Sequence, residues 1–270
     1  MVQEFGGAWT LIKLDVISKY LQFYTTALGK KFKLCYIDAF AGSGEIRVRD
    51  IGQIPGSAIR ALDPPFDKYV FVEKKPTYSD LLRLRLSKYS ACSKATIIEE
   101  DCNNYLTHIT SASWFSCAWR GVIFLDPYSL QVKWQTLIEI AKTRAFDIWY
   151  LFPLMGLNRL LRRDKDIPVG HRAIIDKVLG TTTWEDEIYR LSPQMSFWGD
   201  EFEKNNIDSM KNYVLQRLSS VFPAVSPKAL VLRTVKTNSP LYLLCFATSN
   251  PAEGAMRLAL RGANYILTHV

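Results

Sequence analysis

Acidic side chains follow four apolar stretches of the sequence, and they are the residues best suited to bind a polar ligand. They are Asp38 at the end of residues 36–38, Glu73 after 69–72, Glu99, Glu100 and Asp101 after 95–98, and Asp126 after 121–125. An ionised carboxylate only accepts hydrogen bonds, so these positions suit ligand hydroxyls and amines. We therefore expect a site for a ligand that carries several hydrogen-bond donors.

The first apolar stretch runs into a turn of small residues that contains Gly42, Ser43 and Gly44. A cofactor that lies across the end of a strand needs backbone without bulky Cβ groups beside it, and glycine provides this. We interpret the turn as the floor of a site for S-adenosylmethionine (SAM). A nicotinamide dinucleotide site would have a third glycine where Arg47 stands. A plain strand-to-loop turn is the alternative.

Helix-length segments separate the apolar stretches, and this alternation indicates which elements carry the acidic residues. Continuous apolar strands of this kind belong to a parallel sheet that helices cover on both faces. Ligands of such sheets bind outside the carboxyl ends of the strands. The sequence therefore predicts an α/β fold with a Rossmann-like, doubly wound sheet, and the acidic side chains should converge on one edge of it.

Hydrophobic periodicity and turn residues predict the remaining elements. The expected helices cover residues 10–28, 57–62, 76–89, 134–143 and 251–260, and Gly262 could end the last of them. A fifth strand covers 147–152, and 229–233 forms a hairpin with 241–246. Residues 45–55 form a polar loop. Residues 154–223, with Trp184 and Trp198, form a helical insertion or lid within a single domain of residues 1–270.

Composition limits the class of protein. A chain of 270 residues of which 48% are hydrophobic can bury a large core, which excludes a disordered protein. It has no membrane-spanning run and no signal-peptide pattern, so we expect a cytoplasmic protein. Its five cysteines and three histidines show no paired or metal-ligand spacing. This favours reduced thiols and a site without a metal.

The net charge of +8 is compatible with a nucleic acid as partner, because Lys and Arg that neutralise phosphates supply most non-specific affinity. The densest basic segment is 159–165, followed by His171, Arg172 and Lys177. Asp164, Asp166 and Asp176 interrupt it. A solvated helix face explains this segment equally well.

The order of elements, five parallel strands and then a hairpin, resembles the Class I SAM-dependent methyltransferase fold, in which the last of about seven strands is antiparallel. A closer resemblance is to the three-Cys-motif partner protein (TcmP) family. It rests on Gly6-Gly7, Trp9-Thr10, Lys13-Leu14, residues 36–44, Gly56-Ser57, residues 71–74, 124–128 and 130–132, Trp134, and residues 149–154 and 158–161. That family is predicted to be methyltransferase-like and is named for a neighbouring three-cysteine, radical-SAM-like protein. The scattered cysteines of this chain are not that motif.

The resemblance implies a role for each strand-end residue. Asp38 and the turn would hold the amino-acid end of SAM, Glu73 would bind its ribose, and Asp101 would accept from the adenine amine, with Glu100 as the alternative. The implied cofactor-binding residues are Asp38, Phe40, Gly42, Ser43, Gly44, Glu73, Lys74, Asp101 and Cys102. For each acid, a helix-capping or solvated carboxylate is the other interpretation.

Asp126-Pro127-Tyr128 is the implied catalytic element. Amino-methyltransferases carry Asp or Asn, then Pro-Pro, then an aromatic ring, and the polar oxygens orient the target amine while the ring stacks on the base. This chain has one proline, and its aromatic residue comes one position early. An Asp-Pro turn that closes a strand is the alternative. Phe152, Asn158 and Arg159, which follow the fifth strand, are the candidate substrate-binding residues.

These observations support three hypotheses. The first is a SAM-dependent methyltransferase that acts on an amino nitrogen of a nucleic acid or nucleobase-containing substrate. The second is a non-catalytic protein that keeps the fold and docks substrate for a three-cysteine partner. The third, a nucleotide-binding oxidoreductase, is disfavoured because the glycine fingerprint is incomplete.

Overall fold

The computed structural model describes residues 3–5, 7, 9–49, 51–162, 165–191, 202–204 and 207–270. Gly6 of the resemblance motif, Arg163 and Asp164 of the basic segment, and Trp198 of the expected insertion lie outside the described residues.

Helices and strands alternate along most of the described chain. The strands are β1 (Gln3–Phe5), β2 (Lys33–Asp38), β3 (Glu45–Val48), β4 (Gly52–Pro55), β5 (Lys68–Val72), β6 (Ala95–Ile98), β7 (Trp119–Leu125), β8 (Phe146–Phe152), β9 (Tyr189–Leu191), β10 (Phe202–Lys204), β11 (Ala224–Val225), β12 (Leu230–Arg233) and β13 (Pro240–Thr248). The α-helices are α1 (Trp9–Leu28), α2 (Ser57–Arg60), α3 (Pro76–Leu86), α4 (Cys102–Thr107), α5 (Trp134–Lys142), α6 (Leu154–Leu160), α7 (Val169–Leu179), α8 (Trp184–Ile188), α9 (Ile207–Ser219) and α10 (Glu253–Thr268).

The central sheet has eight described strands in the order β11-β13-β8-β7-β2-β5-β6, with β12 also paired to β13. Strands β2, β5, β6, β7 and β8 are parallel, whereas β13 runs antiparallel to β8. This order and these directions confirm the predicted Class I methyltransferase fold, including the antiparallel last strand. The predicted hairpin is the pair β12 and β13.

Register explains why the acidic residues share one edge of the sheet. Asp38 pairs with Phe71 of β5 on one side and with Phe124 of β7 on the other. Glu73 and Asp126 each follow their paired residue by two positions. Because side chains alternate along a strand, all three acids lie on the same face at the carboxyl edge, with Asp38 two positions before the level of Glu73 and Asp126.

Helices cover both faces of the sheet, as its apolar strands require. Helices α1, α3 and α10 bury their apolar sides on one face. Helices α4 to α9 do so on the other face. The described part of 154–223 therefore contributes helices that pack on the sheet, together with the short strands β9 and β10. None of the described helices has both the length and the apolar composition that a membrane span requires.

Residues 45–55 were expected to be a polar loop, and this expectation is wrong. They form the antiparallel pair β3 and β4, and β1 adds to β3 in a separate three-stranded sheet. Val48 is buried, and Gly52 turns the chain at a φ of +101°. Residues 45, 47 and 53 are polar, so the short apolar alternation on which this hairpin depends is not evident in the sequence.

The last helix was expected to end near Leu260, with Gly262 as its terminator, and this is also wrong. Helix α10 continues to Thr268. A Cβ on Gly262 would lie 2.3 Å from Phe23 Cε1 of α1. Gly262 therefore allows a close approach between two helices, which is a tertiary role that helix-end signals do not distinguish from a cap.

Candidate functional site

A cleft of about 440 Å³ opens at the carboxyl edge of the parallel strands. Its volume falls within the range of about 300–1,000 Å³ that is usual for small-molecule sites. Of the sequence-predicted site residues, those that line it are Phe40, Gly44, Glu73, Lys74, Asp101, Cys102, Asp126 and Tyr128. The remaining ones lie outside this lining: Asp38, Gly42, Ser43, Pro127, Phe152, Asn158 and Arg159.

Backbone hydrogen bonds fix the turn that forms the cleft floor. The Ala39 N–H donates to Phe124 O at 3.0 Å, and the Ala41 N–H donates to Val72 O at 3.0 Å. The turn is thus attached to both neighbouring strands. Gly42 has a φ of +60°, a conformation that costs glycine nothing, and its N–H donates to Glu73 Oε2 at 2.9 Å.

Asp38 lies behind the cleft wall. Its side chain is fully buried and accepts from the Phe40 N–H at 3.2 Å and the Tyr36 hydroxyl at 3.4 Å. Burial raises the pKa of Asp38 to about 7, against the opposing effect of its hydrogen bonds with Ser57 and Phe40. Ser57, at the start of α2, lines the cleft, so Asp38 can influence a ligand through that hydroxyl.

Glu73 lies in the cleft wall at the end of β5. Its Oε2 accepts from the Gly42 N–H at 2.9 Å and its Oε1 from the Lys75 N–H at 2.8 Å. A carboxylate has about four acceptor sites, so these two backbone bonds fix its orientation and leave capacity for a ligand. Two adjacent hydroxyl groups of a ligand can donate hydrogen bonds to the acceptor sites that remain on Glu73.

Asp101 caps a helix and also lines the cleft. Its Oδ1 accepts from Asn103 N at 3.0 Å at the start of α4, and its Oδ2 pairs with Lys74 Nζ at 3.3 Å. Partial burial raises the pKa of Asp101, but the Asn103 hydrogen bonds and Lys74 outweigh this and lower it overall. Glu100 lies beside it in the lining. The two sequence interpretations of Asp101, a ligand contact and a cap, are therefore compatible.

Asp126 forms an ion pair with Lys13 through Oδ2. The Lys13 side chain is only 4% exposed, and its ammonium lies 5.3 Å from the centroid of the Trp9 ring. Sequence reasoning assigned Lys13 no role. A signal existed, because Lys13 follows Trp9 and precedes Ile17 by four residues each, which places it on the buried side of α1.

Tyr128 lines the cleft and is 55% exposed. Its N–H donates to Gln131 Oε1 at 3.1 Å. Partial burial and the nearby Tyr78 hydroxyl raise the pKa of the Tyr128 phenol to about 12. Tyr78 and Gln131 also line the cleft and were missed by sequence reasoning, because neither belongs to a strand-end motif.

The three candidate substrate residues have different surroundings. Phe152 is buried in the core, where its ring packs 5.7 Å from that of Tyr150. Asn158 is partly buried on α6, and Arg159 is exposed beside it. Phe152 is the last residue of β8, which pairs with β7 in the sheet, and Asn158 and Arg159 lie on the helix that follows it.

The cleft combines acceptors at its walls with a floor of small residues. Glu73 and Asp101 supply acceptors at two neighbouring strand ends, and the carboxylate of Asp126 lies at a third. This set fits a ligand with sugar hydroxyls, an aromatic amine and a cationic centre, which are the groups of the SAM molecule expected from the sequence.

No protein-family model matches the sequence, and no curated protein has a matching sequence. The resemblance to the three-Cys-motif partner family therefore stays a prediction.

Several solved structures are similar to this chain at a low level. A protein of Legionella pneumophila str. Philadelphia 1 is 13% identical, with 94% of this chain and 92% of that chain covered and a TM-score of 0.48. A Listeria monocytogenes protein proposed to be a SAM-dependent methyltransferase is 10% identical (87% and 98% covered, TM-score 0.44). A Pyrococcus horikoshii protein proposed to be an RNA methyltransferase is 12% identical (86% and 82% covered, TM-score 0.36). Likenesses at this level do not indicate what this chain binds or transfers.

Proposed function

We propose that this chain is a SAM-dependent methyltransferase that acts on an amino nitrogen of a nucleic acid or nucleobase-containing substrate. One observation carries the proposal: Glu73, Asp101 and Asp126, from three separate strand ends, line a single cleft together with residues 39–41 and 44 of the glycine-containing turn. In open α/β sheets, ligands bind at this edge.

Each wall of the cleft would hold one part of SAM. Glu73 would accept from the ribose hydroxyls, and Asp101 or Glu100 would accept from the adenine amine. Phe40 and Cys102 would contact the cofactor through their apolar atoms. The turn at Gly42, Ser43 and Gly44 would hold the amino-acid end, with Asp38 acting behind it through Ser57.

When bound, SAM supplies a methyl group on a sulfonium that is already activated for transfer. Asp126 would accept from the target amine through Oδ1 and direct the nitrogen lone pair toward that methyl group. Pro127 would fix the backbone after Asp126, and the exposed Tyr128 ring would contact the substrate base. Alignment of the two reactants removes much of the entropic barrier, so little further chemistry is required.

Two features support a nucleic-acid substrate. The net charge is +8, and Arg159 is exposed in the segment that follows β8. A basic surface attracts a polyanion and increases its rate of association.

Calorimetry with SAM tests the cofactor assignment. We expect binding to the wild type and weakening by about 10- to 100-fold in Glu73→Gln, since hydrogen bonds to a charged group contribute about 1.5–3 kcal/mol. Glu99→Gln is the matched control, because Glu99 pairs with Arg83 outside the cleft lining. If SAM does not bind to the wild type freed of endogenous ligand, the cofactor assignment is wrong.

Transfer of labelled methyl groups from SAM to total RNA and total DNA tests the reaction. We expect label in one of the two with the wild type and a loss of at least about 100-fold in Asp126→Ala, which removes the acceptor for the amine. Calorimetry of Asp126→Ala with SAM separates a loss of transfer from a loss of cofactor binding.

The ion pair between Lys13 and Asp126 favours a second candidate function. An Asp126 oxygen that is already paired, together with the single proline, suits a non-catalytic protein that binds SAM or docks substrate for a three-cysteine, radical-SAM-like partner. If SAM binds but neither RNA nor DNA is labelled, with or without that partner, this function replaces transfer.

A further inference from the structure

Three charged side chains from three elements meet beside the cleft floor: Asp38 of β2, Asp126 after β7 and Lys13 of α1. Asp38 pairs in register with Phe124, two residues before Asp126, so both carboxylates approach the same end of adjacent strands. Lys13 forms the ion pair with Asp126. All three are largely or fully buried, with 4% of the Lys13 and 17% of the Asp126 side chain exposed.

Two close carboxylates in a poorly solvated site cannot both be ionised without compensation. Burial has the largest effect and raises the pKa of Asp38, and the hydrogen bonds with Ser57 and Phe40 lower it. Of the two neighbouring charges, Asp126 raises this pKa and Lys13 lowers it. Among the described residues, three phenols also have their pKa values raised in part by these carboxylates: Tyr36 of β2, Tyr242 of β13 and Tyr128. Lys13 is therefore the described cation that acts on both carboxylates.

We propose that Lys13 is a positioning residue of the cleft: through its ion pair with Asp126, it offsets part of the repulsion between Asp126 and Asp38 and thereby favours the ionised forms of both beside a cationic ligand. The ion pair engages Asp126 Oδ2, and Asp126 itself lines the cleft. The part of this inference that concerns a cationic ligand rests on the proposed function.

The balance has a defined consequence for Asp38. Removal of the Lys13 charge leaves the repulsion from Asp126 in place, so the pKa of Asp38 rises above about 7. Neutralisation of Asp126 has the opposite effect. When the Lys13 charge is removed and Asp126 is neutralised in the same protein, the two effects on the pKa of Asp38 oppose each other. A lysine that only filled space would produce no rise when its charge is removed, either alone or together with the neutralisation of Asp126, whereas the fall caused by neutralising Asp126 does not depend on Lys13.

The test is a carboxyl ¹³C NMR titration of the ligand-free, full-length protein with labelled aspartate, in which Asp38→Asn assigns the resonance. The variants are Lys13→Met, Lys13→Arg, Asp126→Asn and the double variant Lys13→Met/Asp126→Asn. Relative to the wild type, we expect the Asp38 midpoint to move up in Lys13→Met and down in Asp126→Asn. It should return toward the wild-type value in the double variant and stay near it in Lys13→Arg.

SAM calorimetry across the same pH range is the second measurement. For each pH unit by which a variant raises the Asp38 midpoint, SAM binding at pH values below that midpoint should weaken by about tenfold. An unchanged Asp38 midpoint in the folded Lys13→Met protein, shown by circular dichroism, overturns the inference. Because the titration needs no ligand, it can succeed where SAM binding fails, and it then separates this inference from the proposed function.

Discussion

Asp147 is a second buried carboxyl group, at the amino end of β8 and thus at the end of the strands opposite to the cleft. Its Oδ2 accepts from the Tyr20 hydroxyl at 2.7 Å. Burial raises the pKa of Asp147 to about 6, although the Thr248 and Tyr20 hydrogen bonds oppose this. A carboxyl group in such an apolar environment favours its neutral form. Asp147 therefore links folding stability to pH without contact with the cleft.

We expect the wild type to lose stability as the pH rises from about 4 to about 6, relative to Asp147→Asn. Over this range the unfolded chain releases the Asp147 proton while the folded chain retains it, so the folded state becomes relatively less stable. A pKa of about 6 instead of 3.8 corresponds to about 3 kcal/mol. Urea unfolding of both proteins at pH 4 and pH 8 measures this difference. Equal pH dependence in the two proteins would contradict the assignment.

At the scale of elements, the crossing of α1 and α10 determines how one face of the sheet is closed. Gly262 of α10 is buried against the Phe23 ring of α1, where a Cβ would lie 2.3 Å from Cε1 and 2.6 Å from Cζ. Helix α1 also carries Lys13 to the cleft. The packing of α10 on α1 thus supports the helix that positions a charged residue of the site.

We expect Gly262→Ala to destabilise the protein by about 1–3 kcal/mol, because the added methyl group must displace the Phe23 ring or separate the helices. Gly254→Ala is the matched control in the same helix, since a Cβ there meets nothing within 4 Å. That substitution should stabilise by up to about 1 kcal/mol. Chemical denaturation measures both. If the two variants are equally stable, the close approach has no energetic importance.

At the scale of the whole molecule, charge is the property most relevant to a macromolecular substrate. The chain has a net charge of +8. Arg159 is exposed on α6, in the segment after β8, whereas Arg261 is exposed on α10, which packs against α1. If a nucleic acid reaches the cleft, loss of a charge from α6 and loss of a charge from α10 should change the salt dependence of its binding to different extents.

We expect binding of a single-stranded oligonucleotide to weaken steeply between about 50 and 200 mM salt. In a plot of log K against log salt, Arg159→Gln should reduce the slope by about 1, the value for one lost phosphate contact. Arg261→Gln removes the same charge from α10 and should leave the slope nearly unchanged. Fluorescence anisotropy at several salt concentrations provides both slopes. Equal slopes for the two variants would indicate non-specific binding over the whole surface.

The sequence by itself determined the parallel sheet and its polar edge. Each of these strands is a short apolar run that Asp38, Glu73 or Asp126 ends or follows. The burial of the strand and its polar end can therefore both be recognised from neighbouring positions in the sequence. The fold and the edge of the sheet could therefore be predicted before any contact was known.

Only the tertiary structure decided how these acids are used. It placed Asp38 behind Ser57 rather than in the cleft lining, brought Lys13 to Asp126 across 113 positions of sequence, and made Gly262 a contact instead of a helix end. Each of these depends on partners that are distant in the chain. Spacing along a sequence shows which face of an element a residue occupies, but not which charge or ring lies opposite it.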